Sequence, residues 1–148
     1  MSVEYCITET ITPEEYMVMR ELVGWRLFPY EQAKAGLDNS YIWCLREGNC
    51  VSGRPIGLGR VIWDRGYVIY IADVIVIPEY QGQGLGRVIM EQIMGFINDN
   101  LKPGYMFMVS LCSAKGKEEF YKKFGFIERP DDNVGAGMCQ WLASDEGL

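Results

Sequence analysis

The chain has 148 residues, with 14 lysine or arginine and 20 aspartate or glutamate side chains, a net charge of −6 and no histidine. Without histidine, a Ser–His or Cys–His nucleophile pair, an imidazole base and a zinc site with histidine ligands are excluded. The sequence has neither an apolar run of about 18 residues nor a basic stripe, so neither a membrane nor a nucleic acid is an expected partner.

The composition is that of one ordinary globular domain. Hydrophobic residues make up 49 % and charged residues 23 % of the chain, and we expect a single domain over residues 1–148. The five cysteines are odd in number and contain no C-x-x-C pair, which predicts reduced, mostly buried thiols of a cytoplasmic protein. The acidic N-terminal decapeptide does not resemble a signal peptide.

The first part of the chain predicts one strand and two helices. Residues 5–8 have the pattern of a short strand. Residues 12–15, Thr-Pro-Glu-Glu, then predict a helix start with a capping box and proline in the first turn. Apolar residues at helical spacing continue this helix to Gly24, and residues 28–37 predict a second short helix.

The middle of the chain is rich in strand-forming residues. Residues 41–46, 56–63 and 67–77 are dense in aromatic and β-branched side chains and are separated by short polar turns. These turns favour antiparallel pairing of neighbouring strands.

The second half predicts alternating helices and strands. An amphipathic helix runs from residue 85 to about residue 100, followed by a strand at 105–111 and a helix at 117–124. Two final short strands are predicted at 126–128 and 138–142. The resulting element order predicts an α+β fold, a mixed three-layer αβα domain with a central, mostly antiparallel sheet.

A glycine-rich loop connects the long strand to the amphipathic helix. Gly82, Gly84 and Gly86 let the backbone approach a ligand closely, and the unpaired N–H groups at the start of the helix favour an anion. Arg87 occupies the third glycine position of the dinucleotide-binding fingerprint, and no G-K-[ST] follows, so neither that fingerprint nor a P-loop is present. A pyrophosphate cradle and a tight turn with glycines for packing both remain open.

Two separated motifs resemble the GCN5-related N-acetyltransferase (GNAT) family. Residues 73–87 read DVIVIPEYQGQGLGR and contain the pattern Q/R-x-x-G-x-G/A, and residues 120–126 read FYKKFGF. The resemblance implies an acyl-CoA N-acyltransferase fold whose sheet splays between its fourth and fifth strands. It also implies acetyl-CoA as cosubstrate, attacked directly by a primary amine without a covalent enzyme intermediate and without a metal.

The resemblance also assigns residues to the cosubstrate. Backbone groups of Val74, Ile75 and Val76 would contact the pantetheine arm and polarise the thioester carbonyl. The residues that would hold the pyrophosphate are Gln81, Gly82, Gln83, Gly84, Leu85, Gly86 and Arg87.

Tyr121 lies in the second motif, where the family's tyrosine protonates the departing thiolate. A phenol with a pKa of about 10 can donate a proton to a thiolate whose conjugate acid has a pKa of about 8.5. The resemblance therefore implies Tyr121 as general acid. The alternative is that Phe120, Tyr121 and Phe124 are all core aromatic residues.

Asp73 interrupts the apolar run of the long strand. An ionised carboxylate in such a strand is costly unless it is paired or lines a wet cleft, which indicates a functional position. The resemblance implies that Asp73 acts as a base through water or orients the amine. The alternative is a structural carboxylate bound to backbone N–H groups or to Arg60. Ala72 stands where several relatives have a glutamate, which weakens a base made of two carboxylates.

Glu21, Trp25 and Trp63 are candidates for the amine pocket, because the resemblance places the early helices over the substrate. Each tryptophan could equally fill the core. Lys117 stands where many members have an asparagine that contacts pantetheine, so that contact is not expected here.

The predicted function is acetyl transfer from acetyl-CoA to a small-molecule amine. The net charge of −6 and Asp73 favour a cationic acceptor by electrostatic focusing. Two alternatives stay open: an acetyltransferase acting on a protein lysine or N-terminus, and an acyl-CoA-binding sensor without catalysis. Homodimerisation through the terminal strands is also left open.

Overall fold

The computed structural model describes residues 2–144 in two compact units, one ending at Cys112 and the other beginning at Ser113. Elements of the first unit are β1 (Tyr5–Thr8), α1 (Pro13–Leu22), α2 (Tyr30–Asp38), β2 (Tyr41–Glu47), β3 (Pro55–Trp63), β4 (Val68–Val76), a 3-10 turn (Pro78–Tyr80), α3 (Leu85–Asp99) and β5 (Met108–Leu111). The second unit contains α4 (Glu118–Lys122).

The first unit is organised around a five-stranded sheet with its strands in chain order. Strands β1 to β4 pair antiparallel, and β5 joins β4 in parallel. The prediction of an α+β fold with a mixed, mostly antiparallel sheet is confirmed. The parallel pair requires a crossover connection, and the chain between β4 and β5 contains α3.

The register defines which side chains share each face of the sheet. Arg60 lies opposite Asp73, and Gly59 lies opposite Val74. Because successive residues of a strand point to opposite faces, Arg60 and Asp73 occupy one face, and Gly59 and Val74 the other. Tyr16 of α1 contacts Asp73, so α1 covers the first face.

Helix α3 packs closely on the other face because β3 carries glycine there. A Cβ atom on Gly59 would lie 2.7 Å from a methyl carbon of Ile89 and 3.0 Å from one of Ile93. A Cβ atom on Gly57 would lie 3.1 Å from Ile89. Ile89 and Ile93 are fully buried, so these glycines allow the helix to approach the strand closely.

The start of α1 is held as its sequence predicts. The Thr12 hydroxyl accepts from the backbone N–H of Glu15 at 3.1 Å, and the Glu15 carboxylate accepts from the backbone N–H of Thr12 at 3.0 Å. Arg46 of β2 donates to both oxygens of the same carboxylate, at 2.7 and 3.0 Å. The helix that covers Asp73 is thereby tied to the sheet at its first turn.

The two C-terminal strands predicted at 126–128 and 138–142 do not form. The structure has no strand between residues 113 and 144, and Ile127, Met138 and Leu142 are 76 %, 96 % and 84 % exposed. A short segment becomes a strand only where a neighbouring ladder satisfies its backbone, and these segments have no such ladder within the described chain. Homodimerisation remains a prediction, and the terminal strands no longer support it.

The prediction for the cysteines is wrong in two respects. Cys6 of β1 and Cys50, in the turn between β2 and β3, form a disulfide with their Cα atoms 5.3 Å apart. Of the three free cysteines, Cys44 is buried whereas Cys112 and Cys139 are exposed. The error has a physical reason: only the antiparallel pairing of β1 with β2 brings Cys6 next to the β2–β3 turn, and sequence spacing does not reveal that contact.

Candidate functional site

The sheet opens between β4 and β5. Their parallel pairing runs from Val68, opposite Met108, to Ile71, opposite Leu111, where β5 ends. Within residues 2–144, the remaining stretch of β4, residues 72–76, has a strand neighbour only on its β3 side. Backbone groups on the open side can therefore bind an extended ligand as they would bind another strand. The predicted pantetheine contacts Val74, Ile75 and Val76 lie in this stretch.

The loop that follows β4 is an open cradle of backbone N–H groups. Gly82 and Gly84 have φ values of 78° and 84°, and Gly84 is the N-cap of α3. No group of the described chain accepts a hydrogen bond from the backbone N–H groups of residues 82–87, and the first turn of α3 has no acidic side chain. These N–H groups and the positive end of the helix dipole suit a phosphate.

Side chains around the loop hold it to the sheet. The Gln81 amide donates to the backbone carbonyl of Val76 at 2.9 Å, which fastens the loop to the end of β4. Arg54, which directly precedes β3, pairs with Glu79 at 2.6 Å and with Glu47 at 2.7 Å. Gln81 therefore contributes to the cradle by positioning its backbone. Arg54 also helps to hold the loop in place, through its ion pair with Glu79, and sequence analysis did not predict this role.

The other predicted pyrophosphate residues differ in what they offer. The side chain of Leu85 is 2 % exposed and belongs to the core, so only its backbone N–H faces the cradle. The Gln83 amide makes a long, 3.5 Å contact with the carbonyl of Glu79. Arg87 is exposed and its Nε donates to Glu91 at 2.8 Å, one helical turn further along α3. Its guanidinium must leave this ion pair, or share it, to reach a phosphate.

Asp73 lies under α1 at the centre of a buried polar cluster. One carboxylate oxygen accepts from the Tyr16 hydroxyl at 2.5 Å and from Nε of Arg60 at 2.6 Å. The other oxygen accepts from Nη1 of Arg20 at 3.3 Å. Asp73 is 5 % exposed. Of the two interpretations of Asp73 left open by the sequence, these contacts support a carboxylate bound by Arg60, and α1 supplies two further donors.

The remaining contacts hold the two arginines in place. Nη1 of Arg60 donates to the Ser40 hydroxyl at 3.0 Å, and Nε of Arg20 donates to the backbone carbonyl of Arg26 at 2.6 Å. Burial, followed by the charge of Asp73, raises the pKa of the Tyr16 phenol above its ordinary value. Tyr16 is therefore neutral at physiological pH and donates to the Asp73 carboxylate.

Aromatic rings surround Arg20. Its guanidinium carbon lies 4.8 Å from the ring centre of Phe28 and 5.5 Å from the ring centres of Tyr16 and Trp25. Cation–π attraction of this kind stabilises a guanidinium that has left water. The predicted substrate residue Trp25 thus lies against the cluster.

Other predicted substrate residues lie elsewhere. Glu21 is exposed on α1. Trp63 packs in an aromatic group, with ring centres 6.1 Å from Tyr41 and Phe96 and 5.6 Å from Phe107. The core interpretation of Trp63 is therefore the one its contacts support.

Tyr121 belongs to α4 in the second unit. Its ring centre is 5.0 Å from that of Phe120 and 6.4 Å from that of Phe126. Burial raises the pKa of its phenol above the ordinary value of 10, so the hydroxyl is protonated at neutral pH. No hydrogen bond joins this hydroxyl to any group in residues 2–144.

Sequence analysis missed Tyr16 and Arg20. The available signal was their spacing of four residues on α1, which places both side chains on one face of the helix. A tyrosine and an arginine on the face that packs against the sheet need a polar partner, and Asp73 was the acidic residue known to interrupt that sheet.

The described chain offers neither a cluster of metal-ligating side chains nor a membrane-spanning helix. Across residues 2–144, no group of three or more histidine, cysteine, aspartate or glutamate side chains could hold a metal ion. No helix in this range is long and apolar enough to cross a membrane.

Known proteins share both this sequence pattern and this fold. A solved structure from meticillin-resistant Staphylococcus aureus, named a probable acetyltransferase, is 32 % identical, with a TM-score of 0.78, covering 93 % of this chain and 99 % of its own. The uncharacterised N-acetyltransferase ycf52 of Porphyra purpurea is 33 % identical over 129 residues, which are 86 % of this chain and 72 % of that protein.

Two further relatives carry names that specify an acceptor. Histone acetyltransferase TAP1 of Glycine max is 32 % identical over 76 % of this chain, and the match spans 51 % of that protein. Serotonin N-acetyltransferase 2, chloroplastic, of Oryza sativa is 28 % identical over 74 % of this chain and 53 % of its own length. This chain thus spans about half the length of both.

The acetyltransferase (GNAT) domain profile matches residues 38–128, a range that includes both β4 with its glycine loop and the motif around Tyr121. With an open β4 edge followed by an anion cradle, and with relatives above 30 % identity along most of its length, the chain belongs to the GNAT family of N-acetyltransferases.

Proposed function

We propose that this protein transfers the acetyl group of acetyl-CoA to the primary amine of a small molecule. The amine nitrogen attacks the thioester carbonyl carbon, the carbon–sulfur bond breaks, the CoA thiolate gains a proton and the amine loses one. The observation that carries the proposal is the open edge of β4 at residues 72–76, which leads directly into the N–H cradle at residues 82–87.

The residues fit acetyl-CoA by the chemistry of their donors. Backbone groups of Val74, Ile75 and Val76 would bind the pantetheine arm, and an N–H among them would polarise the thioester carbonyl. A Cβ atom on Gly82 or Gly84 would have no neighbour within 4 Å, so open space lies beside both residues, and their positive φ favours glycine. Arg87 would add a cation at the rim.

Tyr121 is the proposed general acid. Its phenol is protonated at neutral pH because burial raises its pKa, and the hydroxyl has no competing partner within residues 2–144. We expect Tyr121→Phe to lower kcat tenfold or more while acetyl-CoA binding is retained. Tyr105→Phe, a change of the same kind at an exposed tyrosine, is the control. An unchanged kcat for Tyr121→Phe, measured as thiol release at saturating amine, would remove this role.

For Asp73 we propose a positioning role with water as the base. Its carboxylate already accepts from Tyr16, Arg20 and Arg60, so a direct proton transfer from the amine would compete with three donors. We expect Asp73→Asn to raise the KM of the amine while the acidic limb of the pH–rate profile, the rise of rate with pH that reports a general base, is retained. Loss of that limb, with the KM unchanged, would restore Asp73 as the base.

The charge of the protein and the names of its relatives bear on which kind of amine accepts the acetyl group. The net charge of −6 supports an amine that is cationic in solution. Asp73 no longer adds to that support, because two guanidinium groups already neutralise it. The name of the soybean relative favours a second candidate, acetylation of a protein lysine, whereas the name of the rice relative favours a small amine.

One assay separates these functions. The purified protein is incubated with acetyl-CoA and a panel of small amines, lysine peptides and peptides with free N-termini, and thiol release is followed. Turnover of small amines supports the proposal, and turnover of lysine or N-terminal peptides alone supports a protein acetyltransferase. Stabilisation by CoA without turnover of any acceptor supports a sensor. Cytoplasmic localisation remains a prediction from the sequence.

A further inference from the structure

The buried cluster around Asp73 carries more positive than negative charge. Arg20 and Arg60 each form an ion pair with Asp73, at 3.3 and 2.6 Å, and neither pairs with another carboxylate of the described chain. Their side chains are only 8 % and 16 % exposed, and Asp73 is 5 % exposed. Tyr16 is neutral, so one positive charge is left over in a poorly solvated place, where an unpaired charge is costly.

The unused donors of both guanidinium groups reach solvent. Nε and Nη1 of each arginine donate within the cluster, whereas Nη2 of either has no acceptor within residues 2–144. Yet no buried side-chain nitrogen of the described chain lacks a partner. The two Nη2 groups therefore keep a contact with solvent, and a ligand would reach them from that side.

The cluster adjoins the part of the sheet that the proposed chemistry uses. Asp73 is a residue of the β4 stretch that has no β5 neighbour, and Arg60 lies directly opposite it on β3. An acceptor bound at this stretch would therefore lie beside the Arg20 and Arg60 donors that pair with Asp73.

We propose that Arg20 and Arg60 bind an anionic group, a carboxylate or a phosphate, on the acceptor molecule. The proposal rests on the acetyltransferase function proposed above and specifies its acceptor as an amine that also carries an anionic group. Guanidinium groups suit this purpose, because their paired N–H donors match both carboxylate and phosphate oxygens. Such an acceptor also retains the ammonium group that the negative field of the protein attracts.

The rings of Tyr16, Trp25 and Phe28 offer a competing explanation. Cation–π attraction could stabilise Arg20 without any ligand. That explanation does not extend to Arg60, which among the described residues lies near a single ring, 5.8 Å from the centre of Tyr16, and which is the more exposed of the two. Arg60 is therefore the residue to change.

The test uses two pairs of amines that differ in one anionic group. Tyrosine is compared with tyramine for the carboxylate, and phosphoethanolamine with ethanolamine for the phosphate, by kcat/KM from thiol release. We expect the anionic member of at least one pair to be favoured about tenfold or more. In Arg60→Met this ratio falls towards one. Arg65→Met, which removes the same charge from the exposed β3–β4 turn, keeps the wild-type ratio.

Each outcome decides the proposal. A wild-type protein that shows no preference for the anionic member of either pair, or that favours the member without the anionic group in both, overturns it, and so does an unchanged ratio in a folded Arg60→Met. If Arg60→Met fails to fold, Arg60→Lys retains the charge without the paired donors, and its ratio must fall. Turnover without any anionic preference leaves the acetyltransferase function intact. No turnover of any amine, with no stabilisation by CoA, overturns both.

Discussion

The ion pair between Glu15 and Arg46 should make the stability of this protein strongly dependent on pH. Hydrogen bonds from Arg46 and from the backbone N–H of Thr12 outweigh the effect of burial and together lower the pKa of Glu15 from 4.5 to about 2. The folded-state pKa lies below the unfolded one. The contribution is therefore complete above about pH 4.5 and is lost as the pH falls through about 2.

The magnitude follows from the size of that change. A pKa lowered from 4.5 to about 2 corresponds to about 3 kcal/mol of unfolding free energy at neutral pH. Water screens the pair in part, because the side chains of Glu15 and Arg46 are 28 % and 12 % exposed. We therefore expect Glu15→Gln to destabilise the protein by about 2 kcal/mol at pH 7.

Urea unfolding followed by circular dichroism measures this effect between pH 2.5 and 7, with the disulfide kept oxidised. The difference between the wild type and Glu15→Gln should shrink steadily below pH 4.5. Glu14→Gln removes the same charge from the same helical turn, where no ion pair is formed within the described chain, and should change stability by less than about 0.5 kcal/mol. A Glu15→Gln difference that stays constant from pH 7 to pH 2.5 would refute the electrostatic origin.

Two further predictions concern packing and cross-linking. Gly59→Ala would place a Cβ atom 2.7 Å from Ile89 and should cost about 1–3 kcal/mol of unfolding free energy, whereas Gly95→Ala, with no atom within 4 Å, should stabilise α3 by up to about 1 kcal/mol. Equal effects of the two changes in urea unfolding would contradict the close packing of α3 on β3. Replacing Cys6 and Cys50 together by serine opens a cross-link spanning 44 residues and should cost about 4 kcal/mol. An unchanged unfolding midpoint under non-reducing conditions would show that this cross-link is not formed in solution.

Local sequence patterns predicted most elements of the first unit. The capping box at Thr12 and the β-branched runs of β3 and β4 specify their elements through neighbouring residues alone, and so do the apolar spacing and glycine N-terminus of α3. The same patterns failed at 126–128 and 138–142. Apolar residues there suggest strands, but a strand also needs a partner, and a local pattern does not supply one.

The candidate site also contains features that the sequence predicted and features that it did not. The glycine loop was readable because its function depends on backbone N–H groups of consecutive residues, and glycine at the left-handed positions is visible in the sequence. The role of Gln81 was not readable, since its amide binds the carbonyl of Val76 only after the chain has turned back on β4.

Asp73 shows most clearly what the sequence alone could not predict. Its place in an apolar strand already indicated that the carboxylate must be paired or functional. Its partners come from positions 13, 53 and 57 residues away in the chain, on β3 and α1. The charge of such a group depends on the distances to those partners and on the exclusion of water, and both arise only when the helix packs on the sheet. The sequence thus established the family, the loop and the presence of a costly carboxylate, whereas the folded chain established that two buried arginines pair with that carboxylate.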